Sequence, residues 1–365
     1  MLTFSSGSFR EAGTVTFERF CADEGLVGAW QDLESRASLP TQSHAFASAL
    51  WGAGIAPRGI EVVFARDRDG LAALLPLCNG AGRSGRRRLI GADEVCEPGD
   101  LLCRDQDAAR LLARTIARDA RPVELDRIPA DSRLIPALRD AMRGKGLVTV
   151  RPATPTPRIS LDASWKDPAS RFNAGRRSDF RRAARRADEF GKVSFDIRCP
   201  SAAEFDALFD EAVGVELRSW KQEAGTAIAS DRAKEHCFRL YFRSACESGL
   251  FRIAVMRIDG TAVAMQMGLE WSNRYWLFKI GYDATYGRCS PGALLMLHTL
   301  GWAAERELSA YELLGNLEPW IAQFWSREQQ DCVCLRAYPF NPAGGAAFAG
   351  DAAAWLRRRL SPGNA

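Results

Sequence analysis

The chain has 365 residues, and this length favours two domains over one. Hydrophobic residues make up 47% of it and charged residues 26%, which is typical of a soluble globular protein and excludes a largely disordered chain. The 49 basic residues nearly balance the 45 acidic ones, so the net charge of +4 does not by itself require a nucleic-acid partner.

The ten cysteines and three histidines form no recognisable metal or disulfide framework. No Cys-x-x-Cys pair occurs, and Cys332 and Cys334 stand two apart, which puts both thiols on one face of a strand. The N-terminus lacks a basic segment followed by an apolar run, and the longest apolar stretch is shorter than the roughly 20 residues that span a bilayer. We therefore expect a cytoplasmic protein with reduced thiols, no bound metal and no membrane span.

Two hairpin signals, far apart in the chain, share one pattern. Apolar runs at Ile60–Arg66 and Leu71–Leu77 flank Asp69-Gly70, and an Asp-Gly pair in this position favours a tight turn because the turn needs positive φ. The same pattern returns around Asp259-Gly260. The repetition indicates a duplicated domain.

The elements that follow each hairpin also correspond. After the first hairpin, the pattern predicts helices over Gln106–Asp119 and Arg133–Arg143 and strands over Val123–Leu125 and Val148–Arg151. After the second, it predicts strands over Tyr275–Asp283, Tyr311–Leu314 and Asp331–Tyr338, a helix over Pro291–Glu307 and a short helix around Trp320–Trp325. This order predicts an α/β fold with mixed sheets in two tandem units.

A proline-rich segment marks the predicted boundary. Pro152–Pro157 contains three prolines, which argues against a regular helix or central strand and predicts a hinge. An arginine-rich helix follows, with its apolar stripe running from Phe180 to Phe190. Its arginines indicate either a solvated face or a contact surface for phosphates or an acidic carrier. We place the N-terminal domain at 1–157 and the C-terminal domain, entered through this helix, at 158–365.

The segment after the Tyr275–Asp283 strand has the features of an anion site. Ser290 is a favoured N-cap residue, and Pro291 suits the first helical turn, where its missing N–H costs nothing. Gly292 has no side chain, so the free N–H groups of that turn and the helix dipole can bind a pyrophosphate. An ordinary capped helix would show the same sequence features. The predicted donor-binding residues are Gly287, Arg288, Ser290, Pro291, Gly292 and Ala293.

The corresponding helix entry in the N-terminal copy carries acidic residues instead. Asp105 and Asp107 stand where a phosphate would lie, and no glycine opens the turn. Because carboxylates repel phosphates, we predict that only the C-terminal domain binds a phosphorylated donor and that the N-terminal domain is degenerate in this respect.

Several segments together resemble a known family. These are VELRSWKQEAGTAIASD (Val215–Asp231), the second hairpin, KIGYDATYGRCSPGALL and ELLGNLEPWIAQFW. In order and spacing they resemble the GNAT-fold family associated with bacterial cellulose biosynthesis, often labelled CelD-like, which is related to the Fem-type aminoacyltransferases. The resemblance is best over Arg171–Phe340 and implies tandem GNAT-like domains. One departure is that Trp320-Ile321 replaces a Tyr-Lys pair usual in the family.

The resemblance implies direct transfer of an acyl group from acyl-CoA, acetyl-CoA first among the candidates, to the amine or hydroxyl of a small-molecule or envelope-related acceptor. Such chemistry needs a base, N–H donors for the developing oxyanion, and an acid for the departing thiolate. Glu216 is the first candidate base, Asp283 the second, and Tyr282 the candidate acid. Trp220 and Lys221, about one helical turn from Glu216, are the candidate acceptor contacts.

Each of these residues also has a structural interpretation. Glu216 could pair with Lys221 or Arg218 on a solvated face, Asp283 could cap a turn, and Tyr282 could serve packing alone.

Other functions also stay open. The donor could be an acyl carrier protein or, as in Fem-type enzymes, an aminoacyl-tRNA. A non-catalytic scaffold in exopolysaccharide assembly would retain the same fold.

Overall fold

The computed structural model describes residues 11–55, 59–80, 85–219, 225, 228–315 and 319–360. Contacts divide these residues into two compact units. The first unit draws on 11–51, 59–155 and 331–360, and the second on 52–55 and 156–330.

Short runs of strands and of helices follow one another along the described chain. The strands are β1 Glu11–Thr16, β2 Ile60–Asp67, β3 Gly70–Asn79, β4 Arg87–Leu89, β5 Leu102–Cys103, β6 Val123–Pro129, β7 Gly146–Ser160, β8 Val193–Arg198, β9 Phe251–Ile258, β10 Thr261–Trp271, β11 Arg274–Tyr282, β12 Ala310–Glu312 and β13 Gln329–Pro339. The helices are α1 Phe17–Cys21, α2 Glu24–Leu33, α3 His44–Gly52, α4 Gln106–Asp119, α5 Leu134–Ala141, α6 Ala174–Phe190, α7 Phe205–Leu217, α8 Arg232–Glu247, α9 Pro291–Glu305, α10 Pro319–Phe324 and α11 Pro342–Leu360. None of the described helices is both long enough and apolar enough to cross a bilayer.

The first unit is built on the strand order β1-β2-β3-β4-β6-β13, followed by the first part of β7. The pairs along β1 to β4 are antiparallel, β4 and β6 are parallel, and β13 is antiparallel to β6. The apolar faces of α4 and α5 cover this sheet, with Leu112, Ile116 and Leu138 packed in one buried cluster with Leu75 and Leu125. Burial of this cluster is the main stabilising term of the unit.

The second unit repeats the arrangement. Its strand order is the end of β7, then β12-β11-β10-β9-β8, with β11 and β12 as the parallel pair and the other neighbours antiparallel. Helix α9 makes the crossover from β11 to β12 and packs on the sheet through Leu295, Met296 and Leu300. The predicted α/β class with mixed sheets is confirmed.

Both predicted hairpins are present, but their turns differ. In the second hairpin, Asp259 and Gly260 form the turn with φ of 45° and 79°, as the Asp-Gly signal predicts. In the first, Asp67 pairs with Gly70, so Arg68 and Asp69 form the tip and Gly70 alone carries the positive φ, 101°. A register shift next to this turn accounts for the difference, because it adds a residue to one strand.

The prediction that Pro152–Pro157 does not belong to a central strand is wrong, since β7 lies between β13 and β12 in the strand order. β7 runs through all three prolines as one extended segment. Proline φ suits extended backbone, and a proline can still accept a hydrogen bond: the Pro157 carbonyl accepts one from the N–H of Leu313, 3.0 Å away. The division between the two compact units falls inside this segment, at Pro155 and Thr156.

The C-terminal residues 331–360 lie with the first unit rather than with the second, so the predicted boundaries 1–157 and 158–365 do not follow the compact units. β13 pairs with β6 through five residue pairs, which include Leu335 opposite Leu125. These contacts are between segments about 200 residues apart in sequence, which no local pattern reveals.

A buried group of charges fastens this C-terminal segment to the first unit. Glu124, 6% exposed, accepts hydrogen bonds from Arg86 at 2.9 Å and from Arg336. Asp351, on α11, accepts from Arg86 at 2.7 Å and from the Tyr338 hydroxyl at 2.6 Å. Burial alone would raise the pKa of Glu124, but Arg336 and Arg86 outweigh it and hold that pKa below its ordinary value.

We expect Glu124→Gln to destabilise the protein by about 3–5 kcal/mol, because removing one partner leaves buried guanidinium groups uncompensated. The measurement is denaturant unfolding at neutral pH, in parallel with Asp140→Asn. Asp140 pairs with Arg143 at the surface, where both side chains are more than half exposed, so this control should change stability by less than about 1 kcal/mol. Equal effects of the two substitutions would contradict the assignment of Glu124 as an anchor.

Candidate functional site

The two parallel strands of the second unit part after a short ladder. Only Arg274–Trp276 of β11 pairs with β12 among the described residues, although β11 continues to Tyr282. β12 is also paired with β7, and the chain stays next to β7 beyond Glu312, since the Leu313 N–H donates to the Pro157 carbonyl. Among the described residues, the far half of β11 is therefore not paired with β12.

A bulge bends β11 at the same place. Met267 of β10 lies opposite Lys279, but the next residue, Gly268, lies opposite Leu277, so Phe278 is an extra residue on β11. An extra residue twists and bends its strand. The bulge thus falls at the point where β11 separates from β12.

The loop that follows β11 leads into the first turn of α9. Ala284–Cys289 forms a short 3-10 helix, and Pro291 begins α9. No acceptor for the Gly292 N–H lies among the described residues. A Cβ added at Gly292 would lie 3.3 Å from Cδ1 of Tyr282, so the bare glycine lets the helix start against this ring.

Ser290 does not cap α9 in the predicted way. It occupies the N-cap position, but its φ of 48° and ψ of 54° are left-handed, and its side chain makes no capping hydrogen bond. A capping side chain needs extended backbone at the N-cap residue. Here the Ser290 carbonyl accepts from the N–H groups of Ala293, at 3.0 Å, and Leu294, at 3.2 Å, and the hydroxyl stays available to a ligand.

Around this turn, Gly287, Arg288 and Ser290 are exposed, Gly292 and Ala293 are half-buried, and Pro291 is buried.

Glu216, the first candidate base, lies at the end of β11. It is completely buried near the C-terminus of α7, and the Cβ position of Gly281 is 3.0 Å from the Glu216 Cα. Its carboxylate Oε2 accepts a hydrogen bond from the Ile228 N–H at 2.7 Å. The absence of a side chain at Gly281 lets α7 approach the strand this closely.

The packing of α7 does not put Glu216 on a solvated face. Ala212, Val213 and Glu216 are buried, whereas Leu217 is 38% exposed. The carboxylate takes the inward position because the Ile228 N–H satisfies it there. Trp220 and Lys221, the candidate acceptor contacts, lie outside the described residues.

Asp283 forms an ion pair with Arg218, the C-cap residue that follows α7. The Arg218 Nε lies 2.6 Å from the Asp283 carboxylate, and the Ala284 N–H donates to the Arg218 carbonyl at 3.0 Å. Asp283 also caps the 3-10 helix by accepting from the Thr285 N–H. Burial would raise the pKa of Asp283, but the hydrogen bonds from Arg218 and Thr285 lower it below its ordinary value. Asp283 is therefore a weak base.

Tyr282, the candidate acid, is half-buried and packs against the apolar cluster under the start of α9. The structure thus brings Glu216, Tyr282 and Asp283 to one end of β11, next to the turn that begins α9. The sequence did not reveal Arg218 as the partner of Asp283, since the two residues are far apart along the chain.

The arginine-rich helix α6 lies beside this loop. Arg186 donates to the Arg288 carbonyl at 3.3 Å, and the ring of Phe190 lies 5.2 Å from that of Tyr286. Arg181, Arg182, Arg185 and Arg186 are exposed. Their positive charge therefore lies close to the predicted donor loop.

The corresponding helix of the first unit begins differently. Asp105 is the N-cap of α4 and accepts from the Ala108 N–H at 2.8 Å, while Asp107 pairs with Arg110 at 2.7 Å. The Asp105 carboxylate thus occupies one of the N–H groups at the start of α4 that an anion would otherwise bind. Among the described residues, no three His, Cys, Asp or Glu side chains are arranged to hold a metal ion.

Comparison with known families and structures agrees with this architecture. Residues 174–320 match the family model described as acetyltransferase (GNAT) domain, so this part of the second unit is similar to that family and has the GNAT fold. No curated protein sequence matches the chain.

Solved structures of low sequence identity share the fold over most of the chain. The crystal structure of FemX has a TM-score of 0.58 at 10% identity and covers 86% of this chain and 96% of its own. A DUF2156 domain from Agrobacterium fabrum has a TM-score of 0.53 at 15% identity, covering 90% and 95%. A tandem GNAT protein from the clavulanic acid biosynthesis pathway is also similar, with a TM-score of 0.45 at 14% identity, covering 92% and 99%. The first unit repeats the strand order of the second unit, which contains the matched segment, and the predicted tandem GNAT-like fold is confirmed on these grounds.

We expect Arg218→Gln to raise the pKa of Asp283 towards its ordinary value. Because that pKa is depressed in the folded protein, the contact stabilises the fold above the ordinary carboxyl range and loses this effect as the pH falls through the lower folded value. Carboxyl-carbon NMR titration measures the shift. Arg198→Gln, which breaks a surface pair with Asp196, is the control and should leave Asp283 unchanged.

Proposed function

We propose that the second unit transfers an acyl group from acyl-CoA, with acetyl-CoA the first candidate, to an amine or hydroxyl by direct attack. The observation that carries this proposal is the early end of the β11–β12 ladder at Trp276 and Glu312, on the side where α9 begins. The thioester carbonyl would lie at this end of the predicted strand Tyr275–Asp283, and backbone N–H groups at the strand end would stabilise the developing oxyanion. The GNAT-domain match over 174–320 supports the same reaction class.

The donor phosphates would bind at the turn from Gly287 to Ala293. The Gly292 N–H, the exposed Ser290 hydroxyl and the positive end of the α9 dipole suit a pyrophosphate. Arg288 and the nearby arginines of α6 add positive charge. These residues present donors and no carboxylate at the turn, which fits a phosphorylated donor.

In the proposed reaction, the acceptor nitrogen attacks the thioester carbonyl carbon. The C–N bond forms as the C–S bond breaks, the nitrogen loses a proton to a base, and the departing thiolate gains one. We propose Glu216 as the base, because it lies at Gly281 and because the lowered pKa of Asp283, which Arg218 helps to cause, makes Asp283 a weak base. Tyr282, beside Gly292, is the proposed acid. Trp220 and Lys221 are proposed to hold the acceptor, which the CelD-like resemblance suggests is envelope-related.

A second candidate is transfer from a polyanionic donor such as an aminoacyl-tRNA. The exposed arginines of α6 next to the donor loop favour it, because they extend the positive surface beyond what one pyrophosphate needs. Single-turnover assays with acetyl-CoA and with aminoacyl-tRNA in parallel decide between the donors. Absence of transfer from either, with every amine and hydroxyl acceptor tested, would favour the non-catalytic scaffold.

We expect one CoA site per chain, abolished by Gly292→Asp. The added carboxylate would stand at the helix N-terminus and repel the phosphates, whereas Gly292→Ala adds only a methyl group next to Tyr282 and should bind CoA more weakly but measurably. Titration calorimetry gives the stoichiometry and the affinity.

The control for this prediction is Gly345→Asp, in the first turn of α11, where nothing lies within 4 Å of the Cβ position. It should bind CoA normally. Two sites per chain would show that the first unit also binds the donor. Normal binding by Gly292→Asp would place the donor site elsewhere.

Glu216→Gln should lower turnover by about 10²–10⁴-fold if Glu216 is the base. The amide oxygen can still accept the Ile228 N–H, so CoA affinity should not change. Thermal unfolding is measured on the same sample. A rate loss below about threefold would remove Glu216 from the chemistry, since general bases contribute far more. A loss of rate that goes with an equal loss of stability would assign Glu216 to holding Ile228 in place.

A further inference from the structure

The second unit contains a cavity of about 570 Å³ that the proposed chemistry does not use. This volume is within the range of small-molecule sites in proteins, roughly 300–1,000 Å³. Four of its lining residues are aromatic and two are arginines. The lining comprises Ile159, Trp165, Arg171, Phe172, Ala322, Gln323, Phe324, Trp325, Ser326, Arg327 and Glu328.

The aromatic rings at this cavity hold one another in position. Phe172 contacts Trp325 edge-on at 5.8 Å and Phe180 edge-on at 5.2 Å, and Phe180 is stacked with Trp325 at 6.1 Å. Trp165, only 6% exposed, contacts Phe172 at 6.3 Å and supports it from the core. Phe172 and Trp325 are half-buried, so flat apolar surface is offered to a ligand with little ordering cost.

The charges at the cavity are unbalanced. Arg171 lies over the Trp165 ring at 5.4 Å and Arg176 over the Phe324 ring at 4.0 Å. In the described part of the chain, no carboxylate lies within 4.0 Å of the guanidinium groups of Arg171, Arg176 or Arg327, whereas many other arginines of this protein are ion-paired. Glu328 is engaged, because its Oε2 accepts from the Ser160 hydroxyl at 2.7 Å and from the Ser160 N–H at 3.1 Å.

These features together select the chemistry of a ligand. A cation would be repelled by the arginines, a purely apolar group would leave their charge unmatched, and an inorganic anion would leave the aromatic surface unused. A nucleotide uses both, because its base stacks on aromatic rings and its phosphates pair with arginine. We propose that this cavity is a nucleotide-binding subsite, with the base against Trp325 and Phe172 and the phosphates at Arg171 and Arg327.

The nucleotide could come from two sources. It could be the adenosine diphosphate end of the donor, or the nucleoside diphosphate of an activated acceptor. Either source rests on the proposed transferase function, but nucleotide binding can be measured without any transfer.

The test is titration calorimetry of the full chain with ADP, UDP and CoA. We expect at least one of them to bind, and Trp325→Ala to weaken that binding about tenfold or more, the usual effect of losing one stacked base. Trp325→Phe keeps a ring and should bind within about threefold of the parent protein. The control is Trp355→Ala, which removes an exposed tryptophan that also has an arginine, Arg359, stacked on it at 4.6 Å, and it should change nothing.

Arg327→Gln provides a second variant at an exposed position, in case Trp325→Ala does not fold. It should weaken nucleotide binding and reduce its dependence on salt, because one phosphate contact is lost. Preferential binding of UDP would assign the site to the acceptor, and binding of ADP in competition with CoA would assign it to the donor.

The subsite proposal fails if none of the three ligands binds, or if Trp325→Ala and Arg327→Gln both bind like the parent protein. CoA binding that is lost in Gly292→Asp but kept in both cavity variants, with no ADP or UDP binding that depends on the cavity, would refute the subsite and leave the donor loop standing. UDP binding that is lost in the cavity variants, without any CoA binding, would support the subsite and refute the acyl-CoA donor.

Discussion

The short parallel ladder between β11 and β12 is the constraint on which the rest of the second unit depends. Among the described residues, three residues of each strand pair, and the bulge at Phe278 then bends β11. The end of β11 meets two helices: α7 comes close because Gly281 has no side chain, and α9 starts against Tyr282 because Gly292 has none. Two glycines and one strand end therefore bring together a buried carboxylate, a tyrosine and a helix N-terminus. Each would be of little chemical use alone, and their proximity is what makes the region a candidate site.

The first unit has the same topology but uses the equivalent places for internal contacts. Its parallel pair, β4 and β6, carries Arg88 beside Glu124, and these charges belong to the network that binds the C-terminal segment. The turn into α4 is occupied by the carboxylate of Asp105. The first unit thus uses these polar groups for stability, while the second leaves the start of α9 without a capping carboxylate. Buried ion pairs suit the first role because their removal is costly, and bare backbone suits the second because a ligand can approach it.

Features that local chemistry dictates could be predicted from the sequence, and features that depend on distant contacts could not. The turn at Gly260 and the bounds of α4 follow from turn preference and helical period. The N-cap position of Ser290 could be predicted, but its left-handed backbone could not. That conformation occurs where the 3-10 helix ends and α9 begins, at a single residue. The burial of Glu216 depends on Ile228 and Gly281, which lie on other elements. The aromatic cavity could not be predicted from the sequence for the same reason, since Phe172 and Trp325 are about 150 residues apart and meet only in the folded chain.

The path of the chain has a consequence for how the protein is made. The second unit is a continuous stretch apart from four residues, 52–55, but the first needs β13 and α11, which are the last described elements to leave the ribosome. During synthesis the second unit can therefore be complete while β6 still lacks its antiparallel neighbour. Domains generally fold as units while the chain emerges, so the later half of this polypeptide can fold before the earlier half. Until β13 has been synthesised, one edge of β6 is unpaired, and an unpaired strand edge promotes association between chains.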